Sequence, residues 1–94
     1  MPNNRKWIAA VVAERRRLSG ALESLGVTVW PSAANFVLFR PETRKGGDVW
    51  QALVERGVLV RDTSSWPGLS GCLRVTIGTS VENDAFIAAL EEVL

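Results

Sequence analysis

An α+β domain with the order α-β-β-α-β-β-α is the fold class that this sequence predicts, and three observations carry it. Apolar residues recur at helical spacing in three stretches, residues 5–25, 49–56 and 79–94. Between them lie four short runs rich in β-branched and aromatic residues, at 27–30, 35–40, 58–61 and 72–77. The 94 residues suit a single domain, residues 1–94, with no internal repeat or low-complexity segment.

The first helix is the most strongly marked. Trp7, Val11, Leu18, Leu22 and Leu25 fall on one side, four alanines add propensity, and Gly26 stands where a left-handed stop is expected. Residues 1–4 read as loose chain, with Asn4 a candidate cap. The run Glu14-Arg15-Arg16-Arg17 reads as a solvated outer face, because no second basic cluster lies near it to make a nucleic-acid patch.

Strands one and two form an expected hairpin joined by residues 31–34. Phe36-Val37-Leu38-Phe39 is apolar at consecutive positions, as in a central strand covered on both faces. After a polar loop with Pro41, Gly46 and Gly47, Asp48 is the expected cap of the second helix, whose buried side is Val49, Leu53 and either Trp50 or Val54. Gly57 ends it. Strands three and four flank a Gly/Pro/Ser-rich turn, and Thr79-x-x-Glu82 matches a capping box opening the last helix, with Phe86, Ile87, Leu90 and Val93 inward. A crossover through the second helix, with strand four inserted, gives a mixed, mostly antiparallel four-stranded sheet of order 1-2-4-3 and helices on one face.

Composition removes several function classes. Lys and Arg number 11 against 10 Asp and Glu, so net charge favours neither nucleic acid nor an anionic membrane as partner. With no His there is no imidazole base and no Ser-His or Cys-His pair. The single Cys72 excludes an internal disulfide and any multi-cysteine metal site, fits a reducing compartment, and reads as a small buried residue without reactivity. No apolar run approaches the ~20 residues of a membrane span, and residues 1–25 lack a signal-peptide core, so a soluble, cytoplasmic domain is expected.

The chemistry-bearing stretch is 60–79. Arg61 closes one apolar strand and Arg74 interrupts another. A guanidinium on a strand is costly to desolvate unless it meets a carboxylate or phosphate, to which its fork of donors is matched. If Val58, Val60, Leu73, Val75 and Ile77 face the helices, both arginines project from the opposite face. The plain alternative is pairing with surface carboxylates, Arg61 with Asp62. Trp66, Pro67, Gly68 and Gly71 either rim a pocket or fold a tight turn. Gly78-Thr79-Ser80 either receives an anion or simply caps a helix. Phe36 and Phe39 lie on opposite faces and cannot form one base-stacking platform.

Val58-Leu59-Val60-Arg61-Asp62, Trp66-Pro67-Gly68-Leu69, residues 73–79 as Leu-Arg-Val-Thr-Ile-Gly-Thr, Glu82-Asn83, and Pro31-Ser32-x-Ala34-Asn35-Phe36 together resemble the carboxy-terminal segment of histidinol-phosphate aminotransferases. The resemblance covers residues 14–94. It implies the small domain of a fold-type-I enzyme that uses pyridoxal phosphate to move an amino group between histidinol phosphate and 2-oxoglutarate in histidine biosynthesis, as a homodimer. It further implies that Arg74 clamps the substrate carboxylate or phosphate, that Arg61 is a second, phosphate-side arginine, and that Asn35 lines the same cleft. Neither Lys6 nor Lys45 sits in a context like the family's cofactor lysine, and there is no Tyr. No residue here is therefore expected to be catalytic or to hold the cofactor, and the 94 residues alone are expected to be inactive. The alternatives are a related enzyme of the same cofactor, another aminotransferase or a decarboxylase of phosphorylated threonine, and a free-standing module that binds small anions.

Overall fold

A computed structural model describes residues 4–30, 35–58 and 60–94, with side chains from Ile8 onward. Among them the chain runs through α1 (Asn4–Ser24), β1 (Thr28–Trp30), β2 (Phe36–Arg40), α2 (Gly46–Glu55), β3 (Arg61–Asp62), β4 (Leu73–Thr76) and α3 (Ser80–Val93). The sheet order is β1-β2-β4-β3, as the sequence predicts. All three pairings are antiparallel, so the mixed, mostly antiparallel sheet expected from the sequence resolves to an antiparallel one. The expected looseness of residues 1–3, the inward placing of Trp7, the connection over 31–34 and the strand position of Leu59 lie outside the described residues.

Helix ends explain where the strands begin. In α1, Gly26 takes φ +81°, its N–H meets the Glu23 carbonyl, and Val27 N–H meets the Leu22 carbonyl at 3.2 Å. The same closure ends α2: Gly57 has φ +76°, and Val58 N–H donates to the Leu53 carbonyl at 3.0 Å. Val58 thus spends its N–H on a helix carbonyl. Strand three accordingly starts later than the expected 58–61, at Arg61, with Val60 buried but outside the ladder.

The other starts follow the same accounting of backbone groups. Asn4 is already helical in α1 rather than its cap. For α2 the N-cap is Lys45, without a side-chain cap bond, and the expected cap Asp48 sits inside the first turn. There its negative charge still complements the positive end of the helix dipole. Helix α3 opens on the full capping box: Thr79 Oγ1 accepts from Glu82 N–H at 3.2 Å, and Glu82 Oε1 accepts from Thr79 N–H at 2.9 Å.

Strand alternation divides the sheet into a covered face and an open one. Cross-strand partners Val37 and Val75, and Phe39 and Leu73, point to the helices. Leu18 and Leu22 of α1, Val49 and Leu53 of α2, and Phe86, Leu90 and Val93 of α3 complete this core. The Phe39 and Phe86 rings meet edge to face at 5.7 Å. Burying each such side chain contributes roughly 1.5–3 kcal/mol. Strand β2 is central, but only one of its faces is covered: Phe36 and Leu38 are half-buried on the side away from the helices. The expected cover on both faces is therefore not present among the described residues.

A polar network joins α1 to α3. Arg17 donates to both carboxylate oxygens of Glu14 at 2.8 Å and to Asp84 at 2.7 Å. Asn83 Nδ2 donates to Glu14 at 3.1 Å and to the Gly78 carbonyl, while its Oδ1 accepts from Gly78 N–H. Glu14 faces α3, so the expected solvated run is solvated only in part. Arg17 and Asn83 hold the Glu14 carboxyl at a pKa of about 2, below the ordinary 4.5. A lowered folded pKa contributes stability that is present above about pH 4.5 and lost as pH falls toward 2.

Two measurements check these packing arguments. The stability difference between the parent chain and Glu14→Gln, read by thermal melts, is expected to be large at pH 6 and to close as pH falls to about 2; a pH-independent gap disproves the network's role. A Cβ on Gly46 would lie 2.3 Å from the Gly71 carbonyl oxygen, whereas one on Gly47 meets nothing within 4 Å. Gly46→Ala is therefore expected to lose about 1–3 kcal/mol in urea unfolding, and Gly47→Ala to be neutral or stabilising. Equal stability of the two variants contradicts the contact.

Candidate functional site

Strand β4 pairs on both sides, and its alternation sends Leu73 and Val75 inward and Arg74 and Thr76 outward. Arg61 of β3 is the direct cross-strand partner of Arg74. The two guanidinium-bearing residues therefore share the open face, as the sequence predicts, with Cβ atoms of such pairs about 4.5–5.5 Å apart. Like charges directly opposite one another are unfavourable in a sheet. Among the described residues neither makes an ion pair with a carboxylate.

The alternative, an Arg61–Asp62 pair, is not found among the described residues, because neighbours on a strand point to opposite sides. Asp62 instead accepts from the Ser64 N–H and hydroxyl, which starts the 64–71 turn. That turn is built from successive backbone bonds, Trp66 to Thr63, Leu69 to Trp66 and Cys72 to Leu69, with Gly68 and Gly71 at positive φ. Buried Thr63 locks its base, both its N–H and its hydroxyl donating to the Cys72 carbonyl. The turn reading of Trp66, Pro67, Gly68 and Gly71 thus accounts for these residues, and none of them lines the arginine cleft.

Trp50, Val60, Arg61, Asp62, Arg74 and Thr76 line an open cleft of about 480 Å³ at the β3 edge. Trp50 comes from α2 and is fixed by its indole N–H, which donates to the Val60 carbonyl at 2.9 Å. Helical periodicity offers either Trp50 or Val54 for the buried side of α2 and carries no sign that Trp50 walls this cleft.

Asn35 is not brought to the arginines. Its carbonyl accepts from Ile77 N–H at 2.8 Å, which extends the β2–β4 ladder by one pair beyond Phe36 and Thr76. Its parity is that of Val37 and Phe39. It lines a second concavity of about 470 Å³ with residues of α1 and the α3 start, Glu14, Gly78 and Thr79 among them. Within these residues strand alternation thus sets Asn35 at a different concavity from Arg61 and Arg74. At the α3 start, the side chain of Glu82 occupies the N–H of Thr79, so ordinary capping accounts for Gly78-Thr79-Ser80.

A third arginine on the open face escaped the sequence reading. Arg40 of β2 lies over the Trp30 ring at 5.2 Å and donates from Nε to Glu42 at 2.9 Å. Glu42 also accepts from Thr28 Oγ1 at 2.6 Å, and both bonds lower its pKa. This guanidinium is already neutralised. The Cys72 thiol is 1% exposed, and burial pushes its pKa up. Among the described residues no His, Cys, Asp and Glu cluster fits a metal ion, and no helix is long and apolar enough to cross a membrane.

The chain belongs to the aminotransferase class I and II family, which matches residues 3–90. It is 49% identical to the histidinol-phosphate aminotransferase of Rhodococcus opacus over 86 residues, covering 92% of this chain and 21% of that protein. Among solved structures it resembles the histidinol-phosphate aminotransferase from Clostridium acetobutylicum, at 28% identity and a TM-score of 0.83 over 90% of this chain and 26% of that one. It also resembles the L-threonine-O-3-phosphate decarboxylase of Porphyromonas gingivalis, at 33% identity and a TM-score of 0.79 over 94% of this chain and 27% of that one. The chain spans about a fifth of the length of the curated relatives it matches.

Pyridoxal phosphate, which the resemblance implies for the complete enzyme, does not fit the described residues. Lys45 is exposed at the α2 N-cap and does not line the arginine cleft. The burial of Cys72 has a direct readout: a thiol reagent is expected to leave the native chain unlabelled and to label it fully in denaturant, and fast native labelling contradicts this placement.

Proposed function

We propose that these residues are the substrate-anchoring small domain of a cytoplasmic, homodimeric aminotransferase that moves an amino group between histidinol phosphate and 2-oxoglutarate in histidine biosynthesis. The observation that carries the reading is the cross-strand pair Arg61 and Arg74, which has no carboxylate partner among the described residues. Two adjacent guanidiniums left unneutralised are matched to an anion with several oxygens, a phosphate monoester or a dicarboxylate. The identity to histidinol-phosphate aminotransferases supports this choice of substrate.

In this role the domain binds and orients. Arg74 and Arg61 fix the anionic ends of the substrate, which lowers the entropic part of the barrier without making or breaking a bond. Pyridoxal phosphate, held by residues outside these 94, supplies the electron sink of the reaction. The chain by itself is inert as a transaminase. A second reading, decarboxylation of phosphorylated threonine, is favoured by the likeness to the P. gingivalis enzyme and uses the same anion anchors.

Titration of the 94-residue chain with inorganic phosphate and with 2-oxoglutarate is expected to shift the Arg61 and Arg74 guanidinium resonances, and Arg74→Ala to abolish the response. In the complete enzyme Arg74→Ala is expected to lower kcat/KM for histidinol phosphate by about 30- to 1,000-fold. Substrate profiling separates the two readings: turnover of histidinol phosphate supports the first, and CO2 release from threonine phosphate the second. A stoichiometric, reducible adduct of this chain with pyridoxal phosphate overturns its assignment as an anchoring domain.

A further inference from the structure

We propose that Phe36 is a positioning residue for Arg74, holding its guanidinium in one orientation while leaving all its N–H donors free for an anion. The Arg74 guanidinium carbon lies 4.9 Å from the centroid of the Phe36 ring. Phe36 pairs directly with Thr76, so Arg74 is its diagonal neighbour across the β2–β4 ladder, within the reach of a long side chain. An aromatic face attracts the cation through its quadrupole and accepts none of its in-plane hydrogen bonds. A carboxylate at the same place would cancel the charge and consume two donors.

The same face contains the internal comparison. Arg40 also lies against an aromatic ring, Trp30, but its Nε is engaged by Glu42. Arg17 is likewise held by Glu14 and Asp84, and Arg56 by Glu92 and the Ala52 carbonyl. Arg74 is the arginine on β4 that is oriented by a ring and, among the described residues, not by an ion pair. A lysine in its place would keep the charge and lose the planar fork that a ring orients. The ring thus explains why residue 36, on the uncovered side of a central strand, is a phenylalanine rather than a polar residue.

The inference deepens the anchoring reading above, and the test separates the two. The Arg74 Nε–Hε resonance of the 94-residue chain, assigned by its loss in Arg74→Lys, is expected to show a ring-current displacement and contacts to Phe36 ring protons. Phe36→Leu is expected to return the resonance to the free-arginine position and to weaken inorganic phosphate binding about three- to thirty-fold. Phe36→Tyr is expected to restore both, and the Arg61 resonance serves as an unaffected reference. Circular dichroism and urea midpoints establish that each variant is folded, and the Arg74–Phe36 contacts in the parent chain decide the point if Phe36→Leu is not. Absence of those contacts, an Arg74 signal unmoved in folded Phe36→Leu, or phosphate binding by the parent chain that Phe36→Leu leaves equally tight overturns the inference. A parent chain that shows the contacts and the Phe36-dependent displacement but binds no phosphate supports the positioning and counts against the anchoring reading.

Discussion

Strand β4 is hydrogen-bonded on both sides, and its four residues alternate strictly between an apolar core and an open face. Leu73 and Val75 hold the sheet to the helices, and the same backbone geometry compels Arg74 and Thr76 outward. The arginine is thus placed by packing rather than by any bond of its own. Its partner Arg61 is placed by the β3–β4 register, and β3 in turn by the closing turn of α2, where Val58 gives its N–H to a helix carbonyl. A site of two like charges is tolerable because the core, not the site, supplies the stability.

Much of this was legible in the residues. Helical spacing with a glycine stop defines α1, Thr79 and Glu82 define the start of α3, and alternation around Leu73, Val75 and Ile77 places both arginines on one face. What escaped were the facts that depend on which backbone group is already spent. Nothing local says that Val58 belongs to a helix closure, or that Lys45 rather than Asp48 precedes the first turn. Asn35 illustrates the same limit: a motif residue immediately before the strand that neighbours β4 lies, by parity, at a different concavity. Glu14 looked solvated because Asn83, and the Asp84 that shares its helical neighbour Arg17, reach it only through the fold.

The open face also shows how one surface holds guanidiniums in different electrostatic states. Arg40 is neutralised by Glu42, and its charge is committed to the β1 side of the sheet. Arg61 and Arg74 keep their donors, and the aromatic contact at Phe36 constrains Arg74 without quenching it. Membership of the aminotransferase class I and II family extends over residues 3–90, and so includes both of these arginines.

The double pairing of β4 also restricts how this chain can change in length. One residue inserted within the strand would reverse the facing of every side chain beyond it, sending an arginine toward the helices and a valine to water. The turn at 64–71 and the polar loop before α2 are free of that arithmetic only where Gly46 and Gly71 do not touch. Substitution can therefore tune the strand, but insertions and deletions have to be absorbed in its connections, away from the point where those two backbones meet.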